Sequence, residues 1–344
     1  MSESAAAEAP REPVRVGAFR RTSKPDIWER LARSFIVLVI ALGIADELHT
    51  EDRPVAALLA KYGRPPSQFM KLPSGARVHY RDQGRREGIP LMLLHGSNSS
   101  LHTWEPWVQR LGADFRVITF DFPGHGLTGP APNERYSPDD FVKVVDEVRR
   151  RLGLARFSLA GNSMGGNVAW RYAIAHPDAV QRLVLVDASG LNDLLPASER
   201  PEPPIGFKIA RTPGLSLLME WTTPRRAVEK TTRAVFADQR LVNDAMIDRY
   251  YELLLYPGNR HATRLRASQP ADPALIGKLG TIKAPTLILS GQKDTLAPVQ
   301  TARMFHSRIP GSQLIEYPNV GHLPMEEIPD RSARDAREFL ASTF

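Results

Sequence analysis

The chain has 344 residues and contains no cysteine. This absence excludes disulfides, thiolate nucleophiles, zinc fingers and iron–sulfur clusters. It does not fix the compartment, because chains without cysteine occur both inside cells and in oxidising spaces. Hydrophobic residues make up 42% of the sequence, which is too many for a disordered chain. The sequence therefore predicts one large or two smaller folded domains that need no covalent cross-link.

A long hydrophobic run is also missing, since the uncharged stretch at residues 34–45 falls short of the roughly 20 residues that span a bilayer. A helix begun at Ile27 would have about the right length. Basic residues precede the stretch and acidic residues follow it, which places the tail in the cytoplasm and the rest of the chain outside. We predict a disordered basic tail at 1–33 and a membrane anchor or signal segment at 34–53.

Two alternatives remain open for this segment. Gly43-Ile44-Ala45 resembles the small-x-small site of a cleaved signal peptide, which would leave a secreted or periplasmic protein. The second alternative is a helix buried in the core of a cytoplasmic protein, which would also be apolar. Of the three, the anchor predicts that the protein associates with a membrane through residues 34–45.

The excess of basic over acidic residues is small, 45 against 38, for a net charge of +7. The basic residues are scattered and mostly interleaved with acidic ones, which is typical of a mildly basic surface. No basic and aromatic residues alternate in the manner of single-strand binding proteins. The sequence predicts no nucleic-acid partner.

From residue 54 onward, strand and helix patterns alternate, which predicts a mostly parallel sheet with helices on both faces. No convincing strand occurs between residues 191 and 272, so this segment is predicted to be a helical insertion. The core then has two parts, at 54–190 and 273–344. The predicted strands cover residues 77–81, 91–94, 117–120, 157–160, 183–186, 286–289 and 313–317.

The segment Gly161-Asn-Ser-Met-Gly165 fits the G-x-S-x-G nucleophile elbow. It stands between a predicted strand and a predicted helix, as that motif requires. Ser163 is the candidate nucleophile, at a helix N-terminus where the dipole favours developing negative charge. A serine needs a base, and His322, in the loop after the last strand, is the candidate.

The histidine needs a carboxylate to fix its tautomer. Asp294 follows the strand at 286–289 and is preferred, with Asp187 as the alternative. The oxyanion hole requires two N–H donors. We expect them to be the backbone amides of Met164 and Ser97, with Asn98 as a possible additional side-chain contact.

These motifs, with His95-Gly96, Asp121-Phe-Pro-Gly-His-Gly126 and the order Ser…Asp…His, resemble the α/β-hydrolase family of esterases and lipases. The resemblance implies a mostly parallel eight-stranded sheet flanked by helices and an inserted helical cap at 191–272. Ser163 differs from the aspartate nucleophile of the dehalogenase-like and epoxide hydrolase-like members. Members that cleave carbon–carbon bonds of ring-fission products resemble the chain through Gly161–Gly166, but the loop Ser97–Ser100 lacks their glycine-rich pattern.

Hydrolysis of carboxylic esters with an apolar or lipid-like acyl group is therefore the primary expectation, with a small-molecule ester as the substrate. Carbon–carbon hydrolysis and non-catalytic ligand binding are the alternatives. We expect no cofactor and no metal. The candidate substrate-binding residues are Asn98, Trp104, Trp221 and Tyr250.

Overall fold

A computed structural model of the protein describes residues 27, 31, 34, 35, 49–202, 208, 209, 212, 214–270 and 272–342. The predicted tail and most of the apolar stretch lie outside the described residues. Among the exceptions, Ile27 and Leu31 of the predicted tail and Phe35 of the apolar stretch are helical and have exposed side chains. None of the helices in the described ranges combines the length and apolar character needed to cross a bilayer. The role of residues 34–53 as a membrane anchor or a signal segment therefore stays a prediction.

Eight strands form one sheet in the order β1-β2-β4-β3-β5-β6-β7-β8. The β1–β2 and β2–β4 pairs are antiparallel and all other pairs are parallel, so the predicted mostly parallel eight-stranded sheet is confirmed. All seven predicted strands are present, most with longer bounds. The edge strand β1 was missed because its four residues carry no distinctive apolar pattern. The strands are β1 Gln68–Lys71, β2 Arg77–Gly84, β3 Ile89–Leu94, β4 Phe115–Phe120, β5 Phe157–Asn162, β6 Val180–Val186, β7 Thr286–Gly291 and β8 Gln313–Tyr317.

Helices cover both faces of this sheet. Residues that alternate along the strands enter two separate apolar clusters, one containing Met92 and Leu94 and the other containing Leu91 and Leu93. The α-helices are α1 Val55–Tyr62, α2 Glu105–Leu111, α3 Pro138–Arg151, α4 Met164–Ala175, α5 Leu215–Trp221, α6 Arg225–Ala234, α7 Asp244–Leu254, α8 Asn259–Ala267, α9 Val299–Arg308, α10 Pro324–Glu327 and α11 Pro329–Ala341.

Helices α5 to α8 lie in the chain between β6 and β7, and we call them the inserted helices. The described residues of 191–272 contain no strand. Helix α8 packs against the loop after β4 so closely that a Cβ on Gly124 would lie 2.6 Å from the Cβ of Ala262. Asn259, at the start of α8, donates to the carbonyl of Gly126 at 3.1 Å. Helix α8 is therefore seated directly on the core.

The buried carboxylate of Asp121 holds together the loops that follow β3 and β4. It accepts hydrogen bonds from the amides of Leu101 at 2.7 Å and Leu127 at 2.8 Å. Its Oδ2 also lies 2.7 Å from His79 Nδ1. Burial alone would raise the pKa of Asp121, but the nearby histidines outweigh it and lower the pKa to about 2. The Asp121–Gly126 motif thus has a structural role.

A second buried contact fixes the end of the loop after β3. His102 Nε2 lies 3.1 Å from Arg81 Nη2, and because arginine can only donate, this nitrogen is the acceptor. His102 Nδ1 then donates to Ser100 Oγ at 3.1 Å. Burial lowers the pKa of His102 to about 4, and the charge of Arg81 adds to the effect. His102 is therefore neutral in the folded protein at neutral pH.

We predict that this histidine makes the fold less stable in mild acid. Between pH 6.5 and 4, His102 binds a proton in the unfolded chain but stays unprotonated in the folded protein. The free energy of unfolding therefore falls as the pH falls. The difference of pKa corresponds to about 3 kcal/mol over this range. Urea unfolding at several pH values should show a shallower dependence for His102→Gln than for the wild type or for His49→Gln, a change at an exposed site. An unchanged pH dependence in His102→Gln would contradict the prediction.

Candidate active site

Ser163 lies in a sharp turn between β5 and α4, with φ 54° and ψ −117°. This is a conformation that residues with a Cβ rarely adopt. The turn also requires glycine nearby. A Cβ on Gly161 would lie 2.2 Å from the carbonyl oxygen of Gly165, and one on Gly165 would lie 2.2 Å from that of Leu94. The predicted elbow is therefore present, with its serine at the N-terminus of α4.

The side chains of His322 and Asp294 are in contact. His322 Nδ1 lies 2.6 Å from Asp294 Oδ2, and both side chains are buried. The other carboxylate oxygen of Asp294 accepts from the amides of Leu296 at 2.7 Å and Ala297 at 3.1 Å. These bonds hold the Asp294 side chain in place, and its contact with Nδ1 fixes the nitrogen of His322 that carries a proton.

Backbone contacts bring His322 next to the elbow. Its carbonyl oxygen accepts from Asn162 Nδ2 at 3.0 Å, and Asn162 directly precedes Ser163. Its amide donates to the carbonyl of Val235 at 2.8 Å. In the part of the chain that the structure describes, no hydrogen bond joins Ser163 Oγ to His322. Such bonds commonly shorten only when substrate is bound.

Asp187, the alternative acid, is also buried at this end of the sheet. Its Oδ1 accepts from Ser290 Oγ at 3.0 Å and from the amide of Gly291 at 2.9 Å. Its Oδ2 accepts from no N–H or O–H group of the described residues. Burial, and then the negative charge of Asp294, raise the pKa of Asp187 well above its usual value. The shift favours the protonated form of Asp187, and Asp294 is the carboxyl group in contact with the histidine.

Potential ligand atoms of Asp187, Asp294 and His322 lie within 4.8 Å of one another. The chemistry of the three groups does not suit a divalent ion. Metal ligands must be deprotonated carboxylates and free imidazole nitrogens. Here the raised pKa of Asp187 favours its protonated form, and Asp294 is hydrogen-bonded to the histidine nitrogen. The cluster is organised for proton sharing.

The loop after β3 passes over the nucleophile. A Cβ on Gly96 would lie 3.2 Å from the Cβ of Ser163. Among the hydrogen bonds of the described residues, none uses the backbone N–H of Ser97 or of Met164. These are the two amides that the sequence predicts as oxyanion donors, so neither predicted donor is engaged by another acceptor among the described residues.

The predicted substrate-binding residues have varied surroundings. Trp104 is fully buried, with its ring centroid 5.1 Å from that of Trp107. Trp221 is half-buried, and its carbonyl accepts from the amide of Thr50 at 3.0 Å. The hydroxyl of Tyr250 donates to Glu326 Oε1 at 2.9 Å. Asn98 lies in the loop beside Ser97. Substrate contact by these four residues stays a prediction.

Sequence reasoning missed two groups that link the inserted helices to the site. The buried carboxylate of Glu326, four residues after His322, accepts from Arg249 of α7 at 2.6 Å and from Thr103 Oγ1 at 2.5 Å. The guanidinium of Arg266 on α8 donates to Asn98. No motif marks these positions, because a glutamate or arginine on an amphipathic helix is ordinarily at the surface.

The strained backbone of Ser163 leads to a stability prediction. Ser163→Gly relieves the positive φ, whereas Ser163→Ala retains it and serves as the matched control. We expect the glycine variant to be more stable than the alanine variant by about 1 kcal/mol, in spite of the greater freedom of glycine in the unfolded chain. Thermal and urea unfolding of the two proteins measure this difference. Greater stability of the alanine variant would refute the strain argument.

Comparison with known proteins agrees with this architecture. The family model described as alpha/beta hydrolase fold matches residues 89–329. A 2-hydroxymuconate semialdehyde hydrolase of Pseudomonas putida is 30% identical over 279 residues, covering 78% of this chain and 92% of that protein. A 2-hydroxy-6-oxo-6-phenylhexa-2,4-dienoate hydrolase of Burkholderia cepacia is 27% identical over 277 residues, covering 78% and 93%.

Among solved structures, a bacterial membrane phospholipase A has the same fold, with a TM-score of 0.67 and 24% identity. The match covers 91% of this chain and 98% of that one. The sheet order, the elbow and the family match lead to one conclusion. The chain belongs to the α/β-hydrolase fold family.

Proposed function

We propose that the protein is a serine hydrolase in which Ser163 attacks a carbonyl carbon, with His322 as the base and Asp294 as the acid that orients it. The observation that carries the proposal is the strained elbow of Ser163 beside the buried Asp294–His322 pair. In that pair, Asp294 binds the proton on His322 Nδ1, which leaves Nε2 to accept the serine proton. The imidazolium that forms is stabilised by the adjacent carboxylate.

Attack on a carbonyl places negative charge on its oxygen. The amides of Ser97 and Met164 are the donors for this oxyanion, and the N-terminus of α4 adds a favourable dipole. His322 then returns its proton to the leaving group. A water molecule, activated by the same histidine, releases the acyl group from Ser163. None of these steps uses a residue outside the described site.

For the bond that is cleaved, we propose the carbon–carbon bond beside the carbonyl group, an aldehyde or a ketone, of a dienoate ring-fission product. This replaces ester hydrolysis, the primary expectation from the sequence, as the first candidate. The support comes from the two curated relatives, which are named as hydrolases of such compounds and align over 78% of the chain. Transfer of the proton of the 2-hydroxyl group to C5 first converts such a substrate into its keto form. The negative charge that C5 then receives, as its bond to C6 breaks, is delocalised through the adjacent alkene onto the oxygen at C2.

Ester hydrolysis is the second candidate. The loop Ser97–Ser100 lacks the glycine-rich pattern expected of carbon–carbon hydrolases, and this departure lies in the loop that covers the nucleophile. An alkoxide is also an easier leaving group than a carbon, so the same serine, histidine and amides suffice for an ester. The two reactions differ in the leaving group and share the attack on the carbonyl.

A substrate panel tests both levels of this proposal. We expect the wild-type protein to hydrolyse 2-hydroxy-6-oxohexa-2,4-dienoate with a kcat/KM at least tenfold above that for p-nitrophenyl butyrate or octanoate. Ser163→Ala should lose all of these activities by about 10³-fold or more while remaining folded. A fluorophosphonate probe should label the wild-type protein at Ser163.

The outcomes separate the alternatives. Faster turnover of the esters would select ester hydrolysis and overturn the carbon–carbon assignment. Failure of the probe to label Ser163, together with no activity on any substrate, would overturn the hydrolase proposal in favour of non-catalytic ligand binding.

The acid is tested by a matched pair of variants. We expect Asp294→Asn to lower kcat by about 10³- to 10⁴-fold, because the histidine loses its orienting anion. Asp187→Asn should retain activity within about tenfold, since an amide oxygen can still accept from Ser290 and Gly291 in place of the carboxyl oxygen. The reverse ranking of the two variants in kcat measurements would assign the acid to Asp187.

A further inference from the structure

Helix α8 is joined to the loop over the nucleophile by two hydrogen bonds to a single atom. Asn98 Oδ1 accepts from Arg266 Nη2 at 2.6 Å and from Thr263 Oγ1 at 3.2 Å. Both donors lie on α8, three residues apart and hence on one face of the helix. Asn98 directly follows Ser97, whose amide is a proposed oxyanion donor. An inserted helix thus reaches the oxyanion loop through one side chain.

The backbone of Asn98 needs such support. Its φ is 56°, in the left-handed region that non-glycine residues seldom occupy. Asparagine tolerates this conformation better than most residues, but the conformation persists only where surrounding contacts hold it. Rotation of Asn98 back to negative φ would turn the peptide between Ser97 and Asn98. The two bonds from α8 oppose that rotation.

Arg266 is itself held by neutral groups. Its Nη1 lies 2.5 Å from Nε2 of His125, whose Nδ1 lies 3.1 Å from the carbonyl of Pro123 and donates to it. Burial, with the charge of Arg266, lowers the pKa of His125 well below its usual value, so the imidazole stays neutral and accepts. No ion pair joins Arg266 to a carboxylate in the described ranges. Its orientation therefore depends on directional hydrogen bonds to the loops after β3 and β4.

We propose that Arg266 and Thr263 are positioning residues that hold the oxyanion loop in its working geometry through Asn98. The oxyanion hole is then complete only while α8 is docked on the core. This inference rests on the proposed serine-hydrolase function and deepens it, because it makes an inserted helix part of the structure that stabilises the transition state. The amide of Ser97 stabilises the substrate most when negative charge develops on the substrate oxygen. Loss of the support from α8 should therefore lower kcat and leave KM nearly unchanged.

Matched substitutions on α8 test the proposal. Thr263→Val removes the hydroxyl at nearly constant volume, and Thr263→Ser retains it. Arg266→Met removes the hydrogen bonds of Arg266 to Asn98 and to His125. Arg266→Lys retains the positive charge and an ammonium group that can donate to Asn98. We expect Arg266→Met to lower kcat by about 10- to 100-fold with KM changed less than threefold, and Thr263→Val to do so more weakly. Thr263→Ser and Arg266→Lys should retain part or all of the wild-type activity.

A transition-state analogue gives a readout that a merely structural role would not change. Binding of a trifluoromethyl ketone, which forms an oxyanion at Ser163, should weaken in parallel with kcat/KM, whereas binding of a non-electrophilic product acid should not. Arg264→Met is the control on the same helix, because Arg264 pairs with Glu220 and does not contact Asn98. It should retain wild-type kcat, and thermal unfolding should show that all variants are folded.

Other results would overturn the inference. A raised KM at constant kcat, above all for substrates that carry a carboxylate, would make Arg266 a substrate-binding residue. Unchanged kinetics and unchanged analogue affinity in both Arg266→Met and Thr263→Val would show that Asn98 needs no support from α8. The underlying hydrolase proposal is judged separately, since wild-type turnover and its loss in Ser163→Ala do not depend on these variants.

Discussion

The close approach of two backbones at Gly165 is the constraint on which the site depends. The first turn of α4 lies against the carbonyl oxygens of Leu94 and His95, where a Cβ would be 2.2 and 2.6 Å away. Because no side chain separates them, the end of β3 and the elbow occupy fixed relative positions. That contact places Gly96 over Ser163 and leaves the amides of Ser97 and Met164 on adjacent segments. The remaining loops are arranged around this fixed pair.

Burial and hydrogen bonding, more than ion pairs, hold these loops. Asp121 binds two amides and His79, while the lowered pKa values of His95 and His125 keep their imidazoles neutral. His79 and His322 each meet a buried aspartate through Nδ1. The two histidines differ at Nε2. In His79 this atom is buried and has no hydrogen-bond partner among the described residues. An imidazole–carboxylate contact alone therefore does not define a catalytic pair.

The sheet and the elbow could be predicted because their causes are local. Runs of valine, leucine and isoleucine indicate buried parallel strands, and Gly161, Ser163 and Gly165 are required by one sharp turn. The bonds of Asn98 to α8 could not be predicted, because they join residues more than 160 positions apart. The preference for Asp294 over Asp187 came from position along the chain, whereas the raised pKa of Asp187 depends on burial that only the fold creates.

The same distinction explains why the attack on a carbonyl is easier to assign than the bond that breaks. In the proposed mechanism, Ser163, His322 and the two amides act on the carbonyl group, which esters and ring-fission aldehydes or ketones share. These groups do not distinguish between the leaving groups. This chain departs from the expected glycine-rich pattern in the loop where α8 contacts Asn98, and α7 contacts Glu326. These contacts connect the inserted helices to the histidine loop and to the oxyanion loop at once. Under the proposed role of α8, a change in these helices is therefore expected to alter the stabilisation of the transition state.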